Sequence, residues 1–152
     1  MDKPNTVYVS FIASTPGKVW DLLLDTGASP DWFFGHRMEV GAEVGDPLIV
    51  LSPDGSPLVE GEVLVKEPGR RLRVSWVLPD MPIRLAEDEI EFLIEEKGEG
   101  VVRFVVHEYL SEPLPERWIV AGREGWSLVL SGIKTILEAG KPLPRVVMMP
   151  PD

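Results

Sequence analysis

The feature that most constrains this chain is a change of hydrophobic period near residue 115. Before it, short segments alternate apolar and polar residues and are broken by turns. After it, apolar residues recur every three or four positions for more than twenty residues. Fifteen prolines and fourteen glycines supply the breaks. Residues 6–13 (TVYVSFIA) set Val7, Val9 and Phe11 opposite Thr6, Tyr8 and Ser10, the alternation of a half-buried strand with its apolar side inward. Ser14-Thr15-Pro16 reads as a helix start, with a hydroxyl cap and proline at the first helical position. Val19, Trp20, Leu23 and Leu24 then follow helical spacing to Gly27, and Ser29-Pro30 repeats the start signal before Asp31-Trp32-Phe33-Phe34.

Strands and hairpins occupy the middle. Residues 38–40 and 47–51 flank a Gly41/Gly45 turn, and Pro53-Asp54-Gly55 is a second turn. Val59, Val63 and Val65 oppose Glu60, Glu62 and Lys66, while Leu72, Val74 and Trp76 alternate with Arg71, Arg73 and Ser75. Ile90, Phe92 and Ile94 alternate with Glu89, Glu91 and Glu95, and 101–109 (VVRFVVHEY) is a strand whose faces periodicity does not separate. Sequential hairpins of this kind build an antiparallel sheet. Trp118, Gly122, Trp126, Val129, Leu130, Ile133 and Leu137 then form the stripe of one helix, roughly 116–139, stopped by Gly140 and Pro142. Gly122, Gly125 and Gly132 each cost that helix about 0.5–1 kcal/mol relative to alanine, so a close approach to a sheet or a ligand is expected to offset them. A curved sheet with one face to bury and a helix with one apolar stripe solve each other's problem. The expected fold is therefore α+β: about six to seven antiparallel strands wrapped around a long C-terminal helix, with two short helices after the first strand.

Composition narrows the chemistry. The 152 residues suit one domain, 1–140, followed by a tail at 141–152 whose Val146-Val147-Met148-Met149 patch is expected to dock on the body or on a neighbour. Zero cysteines exclude disulfides, thiolate nucleophiles and cysteine-based metal sites. A net charge of −10 repels phosphate backbones and anionic headgroups, so neither nucleic acid nor a membrane surface is an expected partner. No apolar run approaches the ~20 residues of a membrane span. Met1-Asp2-Lys3-Pro4 lacks the opening of a signal peptide, so a cytoplasmic location is expected.

Few residues carry obvious catalytic chemistry. His36 and His107 are far apart, and neither has a second histidine at ligand spacing, so no metal is expected. Glu87, Asp88, Glu89, Glu91, Glu95, Glu96 and Glu99 form a dense acidic run opposite Lys66, Arg70, Arg71 and Arg73 on neighbouring strands. Cross-strand ion pairs on a solvated face explain both sets, and Glu60 and Glu62 follow the same logic. Glu108 stands apart: if it points inward beside Phe104 and Val106, it is the best general-base candidate in the chain. No nucleophile elbow, phosphate loop or cofactor box is present, so no cofactor is expected and catalysis is disfavoured.

The strand before ASTPGKVWDLL at 13–23, Trp32, PGRRLRVSW at 68–76, VVHEYL at 105–110 and REGWSLVLSGIKTIL at 123–137 occur in a telling order. Across roughly residues 6–139 the chain resembles the activator-of-heat-shock-protein-90-ATPase-like family of the START/pollen-allergen-like, helix-grip (SRPBCC) superfamily. The resemblance implies a helix-grip fold with a cavity between the sheet and the long helix. It implies less about activity, because the superfamily spans carriers, receptors, cyclases and co-chaperone modules. His107 sits where the family often carries a histidine at the end of this strand, which implies a cavity-side hydrogen bond; a satisfied histidine at a strand end is the competing reading.

The favoured function is binding of a small hydrophobic or amphipathic molecule in that cavity, with no catalysis assumed. Burial of apolar surface would supply affinity at roughly 25 cal/mol per Å². The wall candidates are Trp32, Phe34, Trp76, Phe92, Phe104, Trp118, Trp126 and Leu130, with His107 as a polar contact and Gly122 admitting close approach. Against this stands simple packing, in which the same aromatic residues fill the space. Other classes are a protein-interaction module of the co-chaperone type, with a protein partner or a second copy, and a cyclase or hydrolase using the same cavity.

Overall fold

The computed structural model describes residues 3–79, 88–111 and 113–146. Its elements run β1 (Thr6–Ala13), α1 (Pro16–Leu24), α2 (Ser29–Trp32), β2 (Arg37–Val40), β3 (Pro47–Leu51), β4 (Pro57–Glu67), β5 (Arg71–Ser75), β6 (Glu89–Gly98), β7 (Val101–Tyr109) and α3 (Glu116–Ala139). Seven antiparallel strands form one sheet in the order β1-β7-β6-β5-β4-β3-β2. Strands β2 to β7 are therefore a meander, and the first strand returns to pair with the last. This is the α+β architecture expected from the period change, and the helix-grip fold that the resemblance implies. Among the described residues, no helix is long and apolar enough to cross a membrane.

Local chemistry sets the elements. Thr15 caps α1 by accepting a hydrogen bond from the Lys18 amide, with Pro16 behind it. Ser29 departs from expectation. It lies inside α2, which has no side-chain cap; its buried hydroxyl donates to the Thr26 carbonyl and accepts from the Met38 amide, tying α2 to β2. Gly140 closes α3 in the left-handed conformation at φ 74°. Register shifts in β3–β4, β4–β5 and β6–β7 bend the sheet. At Gly61 a Cβ would lie 1.9 Å from the Ser75 carbonyl oxygen, so only glycine fits this bend.

The inner face of the sheet carries Ile12, Val63, Leu72, Val74, Ile90, Phe92, Ile94, Val102, Phe104 and Val106. These meet Val19, Trp20 and Leu23 of α1 and Trp126, Val129, Leu130 and Ile133 of α3 in one core. Gly132 brings α3 onto α2: a Cβ there would stand 3.2 Å from both Cα and Cβ of Trp32. The helix glycine thus approaches another helix, not the sheet.

β1 corrects the reading of its own sequence. Tyr8 packs against the core and Ile12 is fully buried within it, while Val7, Val9 and Phe11 are 50%, 41% and 54% exposed on the outer side. Alternation defines two faces without saying which turns inward, and here both carry bulk. The free edge of β1 is covered at its C-terminal end: Lys134 Nζ donates to the Phe11 carbonyl, and the Ala13 amide donates to Glu138.

Candidate functional cleft

Strand parity along β7 organises the site. Val102, Phe104 and Val106 enter the core, so Glu108, two residues on, leaves the sheet on the same inner side just beyond the apolar layer. There it collects three donors from two other elements. The hydroxyls of Thr6 and Tyr8 donate to Oε1, Tyr8 over 2.9 Å, and the Trp126 indole N–H donates to Oε2 over 3.1 Å. β1 supplies the two hydroxyls because Thr6 pairs with Glu108 and Tyr8 with Val106. The environment marks Tyr8: burial, then the charge of Glu108, pushes its hydroxyl up to about 12.

Glu108 opens onto a cleft of about 380 Å³ between the β1/β7 end of the sheet and the N-terminal half of α3. Leu110, Leu114, Trp118 and Ile119 form its apolar wall, while Asn5, Ser111 and Arg123 stand with Thr6 as its polar groups. Gly122 also lines it, and a Cβ there would meet nothing within 4 Å. The size falls in the range of small-molecule sites.

A second cavity, of about 280 Å³, lies where residues 142–146 fold back on the α2 region and on Leu128 and Gly132 of α3. Trp32, Phe34 and Gly35 line it. Phe34 adopts a left-handed φ of 54°, unusual for a side chain of its size, with Gly35 following at φ 78°. Among the described residues Trp32 Nε1 and His36 Nδ1 are buried without a hydrogen-bond partner, and burial lowers the His36 pKa. The described part of the tail thus packs on the body; Val147, Met148 and Met149 lie outside the described residues.

The sequence-selected side chains separate into four groups. Trp32, Trp76, Phe92, Phe104, Trp126 and Leu130 are buried together with Phe33. Phe33 stacks on Trp32, Trp76 and Trp126 with centroids 5.4, 6.1 and 6.3 Å apart, and Phe92 meets Trp126 at 6.1 Å. Their rings occupy much of the space between sheet and helix that the resemblance assigned to a cavity. Trp118 and Gly122 border the large cleft, Phe34 borders the small one, and Trp126 reaches the large cleft's carboxylate through its N–H. His107 does not reach either cavity. It alternates with Val106 and leaves the outer face of the sheet, where Nδ1 lies 3.0 Å from Glu91 Oε1.

Glu91 is also a correction. The alternating pattern set it on a solvated face, yet it is only 4% exposed. Arg71 Nε binds its Oε2 at 2.6 Å, the Tyr109 hydroxyl donates to Oε1 at 3.1 Å, and Arg73 Nη1 stands 3.9 Å away. Burial alone would raise its pKa; hydrogen bonds from His107, Arg71 and Tyr109 overcome that and leave it below the ordinary value. The pairs Arg73–Glu89 and Arg103–Glu95 are cross-strand, as expected, whereas Lys66 instead donates to the Gly41 and Ala42 carbonyls. Glu87 lies outside the described residues. Among those residues no cluster of three His, Asp or Glu side chains is arranged to hold a metal ion.

Sequence reasoning missed Thr6, Leu110, Leu114, Ile119 and Arg123 as cleft residues, and Tyr8 as a hydrogen-bond partner of Glu108. Pairing of β1 with β7 places Thr6 and Tyr8 beside Glu108, and the position of α3 at that end of the sheet adds Ile119 and Arg123; no local pattern encodes either.

The family described as "Activator of Hsp90 ATPase homolog 1-like protein" matches residues 13–138. No curated protein sequence matches the chain. Among solved structures, the protein MLL2253 from Mesorhizobium loti superposes with a TM-score of 0.70 at 19% identity, covering 88% of this chain and 98% of its own. CalU16 from Micromonospora echinospora gives 0.66 at 21% identity, covering 91% and 76%. PFC0360w, described as an HSP90 activator from Plasmodium falciparum, gives 0.71 at 14% identity, covering 92% and 99%. At these identities the likeness is one of fold.

Proposed function

The chain belongs to the Activator of Hsp90 ATPase homolog 1-like family, and from that premise we propose that it binds a small amphipathic molecule in the cleft between the β1/β7 end of its sheet and the N-terminal half of α3. One observation carries this reading: an open volume of about 380 Å³ has an apolar wall on one side and a hydrogen-bonded carboxylate, Glu108, on the other. A ligand would leave water along Leu110, Leu114, Trp118 and Ile119 and keep its polar end beside Glu108 and Arg123. The affinity would come from apolar burial and the orientation from the polar groups. Nothing in the arrangement requires a chemical step.

Native mass spectrometry of the purified protein, followed by denaturing extraction, tests this reading. The expected result is a reproducible co-purifying small molecule that is absent from Gly122→Leu. That variant places a side chain in open space while improving helix propensity by about 1 kcal/mol, so lost binding would not reflect lost folding.

A second reading, an interaction module acting on a chaperone, draws on the exposed row Val7, Val9 and Phe11 and on the neighbour described as an HSP90 activator. Parent protein and Gly122→Leu each appearing at its own ligand-free mass would favour it over the cleft.

A further inference from the structure

A carboxylate offers about four lone-pair positions. At Glu108 three are occupied, by Thr6 and Tyr8 on Oε1 and by Trp126 on Oε2, which leaves one acceptor position on Oε2. All three donors are neutral. Among the described residues Glu108 forms no ion pair with any lysine, arginine or histidine, although most acidic side chains on β6 have one. Arg123 borders the same cleft from an exposed position on α3, where water screens it. A half-buried anion therefore faces an open volume with an unfilled acceptor and, among the described residues, no directly paired cation; the Arg123 charge acts on the site only from a distance, as the last of the influences on the Tyr8 hydroxyl.

We propose that Glu108 reads the polar head of the molecule held in the cleft and selects a protonated amine carried on an apolar body. This rests on the cleft reading above. A charged N–H donor fills the free Oε2 position with a short, charge-assisted hydrogen bond. It also supplies the directly paired cation that Glu108 lacks among the described residues. A hydroxyl head supplies the hydrogen bond without the charge, and a carboxylate head meets charge of its own sign in a partly desolvated site. The chain's net charge of −10 adds a long-range field that gathers cations and repels anions. Leu110, Leu114, Trp118 and Ile119 accept the same apolar body in every case, so the head alone decides among ligands of equal chain length.

The experiment uses three probes that share a chain, octylammonium, octanol and octanoate, titrated calorimetrically into the parent protein, into Glu108→Gln and into Trp118→Ala. The expected result is octylammonium binding roughly tenfold more tightly than octanol, the scale of one charge-assisted hydrogen bond, with octanoate weakest. In Glu108→Gln that preference disappears while octanol binding is retained, and in Trp118→Ala all three probes weaken together. The ammonium preference also shrinks as salt is raised. Equal binding of the three probes overturns the head assignment and leaves the cleft reading standing. Preference for octanoate overturns it too and transfers head recognition to Arg123. Failure of every probe to bind overturns the cleft reading and this proposal together. A thermal melt of each variant confirms that it is folded.

Discussion

Two glutamates on opposite faces of one sheet show how alike surroundings can serve different ends. Glu91 and Glu108 each accept three side-chain hydrogen bonds, and each is bound by a tyrosine hydroxyl. Around Glu91 the environment is closed and charged: Arg71 and Arg73 bring cations, His107 fills another position, and the carboxylate is almost wholly buried. Around Glu108 the donors are neutral and one side is open volume. The first group joins three strands, and its burial and its cations close it to a ligand. The second keeps an acceptor and a charge unspent. Hydrogen-bond number does not distinguish a structural carboxylate from a recognising one; counter-ions and adjacent space do.

Removing each carboxylate breaks the comparison most directly. Glu91→Ala leaves Arg71, Arg73 and His107 without their shared anion in a buried setting, and the loss expected is about 3 kcal/mol or more of unfolding free energy by denaturant titration. Glu108→Gln keeps the volume and an acceptor oxygen, and is expected to cost about 1 kcal/mol or less. Equal losses would show that both groups are structural.

Acid titration sharpens the contrast at intermediate scale. The folded-state pKa of Glu91 is depressed below its ordinary value of 4.5. Its contribution to stability is therefore fully present above about that pH and is lost as pH falls through the folded pKa. The stability gap between the parent protein and Glu91→Gln is expected to narrow as pH drops below 4.5. A gap that stays constant down to unfolding would show that Glu91 is not held ionised.

The smallest effect concerns Tyr8, which is raised to about 12 chiefly by burial and next by Glu108. With the folded value above the unfolded one, its contribution is intact below about pH 10 and is lost as pH rises through about 12. Spectroscopic titration of the tyrosines should show one of them shifting part of the way back toward 10 in Glu108→Gln. It should not return fully, since burial remains. An unmoved value would mean that Tyr8 does not sense the charge on Glu108.

What the sequence discloses follows from the range of the interactions. The long helix, the hairpins and the cap at Thr15 rest on contacts within a few residues, and period and turn residues reveal them. The inward course of Glu108 was visible as one of two options, fixed by parity with Phe104 and Val106. The inward side of β1 was not, because Val7, Val9 and Phe11 are as apolar as a core face. Only pairing with β7, and the demand of Glu108 for the Tyr8 hydroxyl, selects the other side. Glu91 was hidden for a related reason: its burial comes from Arg71 and Arg73 on β5 and from His107 and Tyr109 on β7, which reach it only once the strands are in register. The aromatic residues were legible as large and inward, but packing them against one another is a three-dimensional outcome, and Phe33 at their centre was not singled out.

The pairing of β1 with β7 also sets an order of events during synthesis. The hydrogen bonds from Thr6 and Tyr8 to Glu108 join positions 102 and 100 residues apart. During synthesis β1 emerges long before β7 and must wait for it before it finds its place. Such distant closure is slow compared with hairpin formation, so β2 to β7 are free to assemble while the N-terminal segment remains unpaired. During that interval Val7, Val9 and Phe11 lie on an unpaired strand, the stretch of this chain most open to chaperone capture or to aggregation. The cleft, which borrows Thr6 from that strand and its helical wall from α3, exists only when both β1 and α3 are in place.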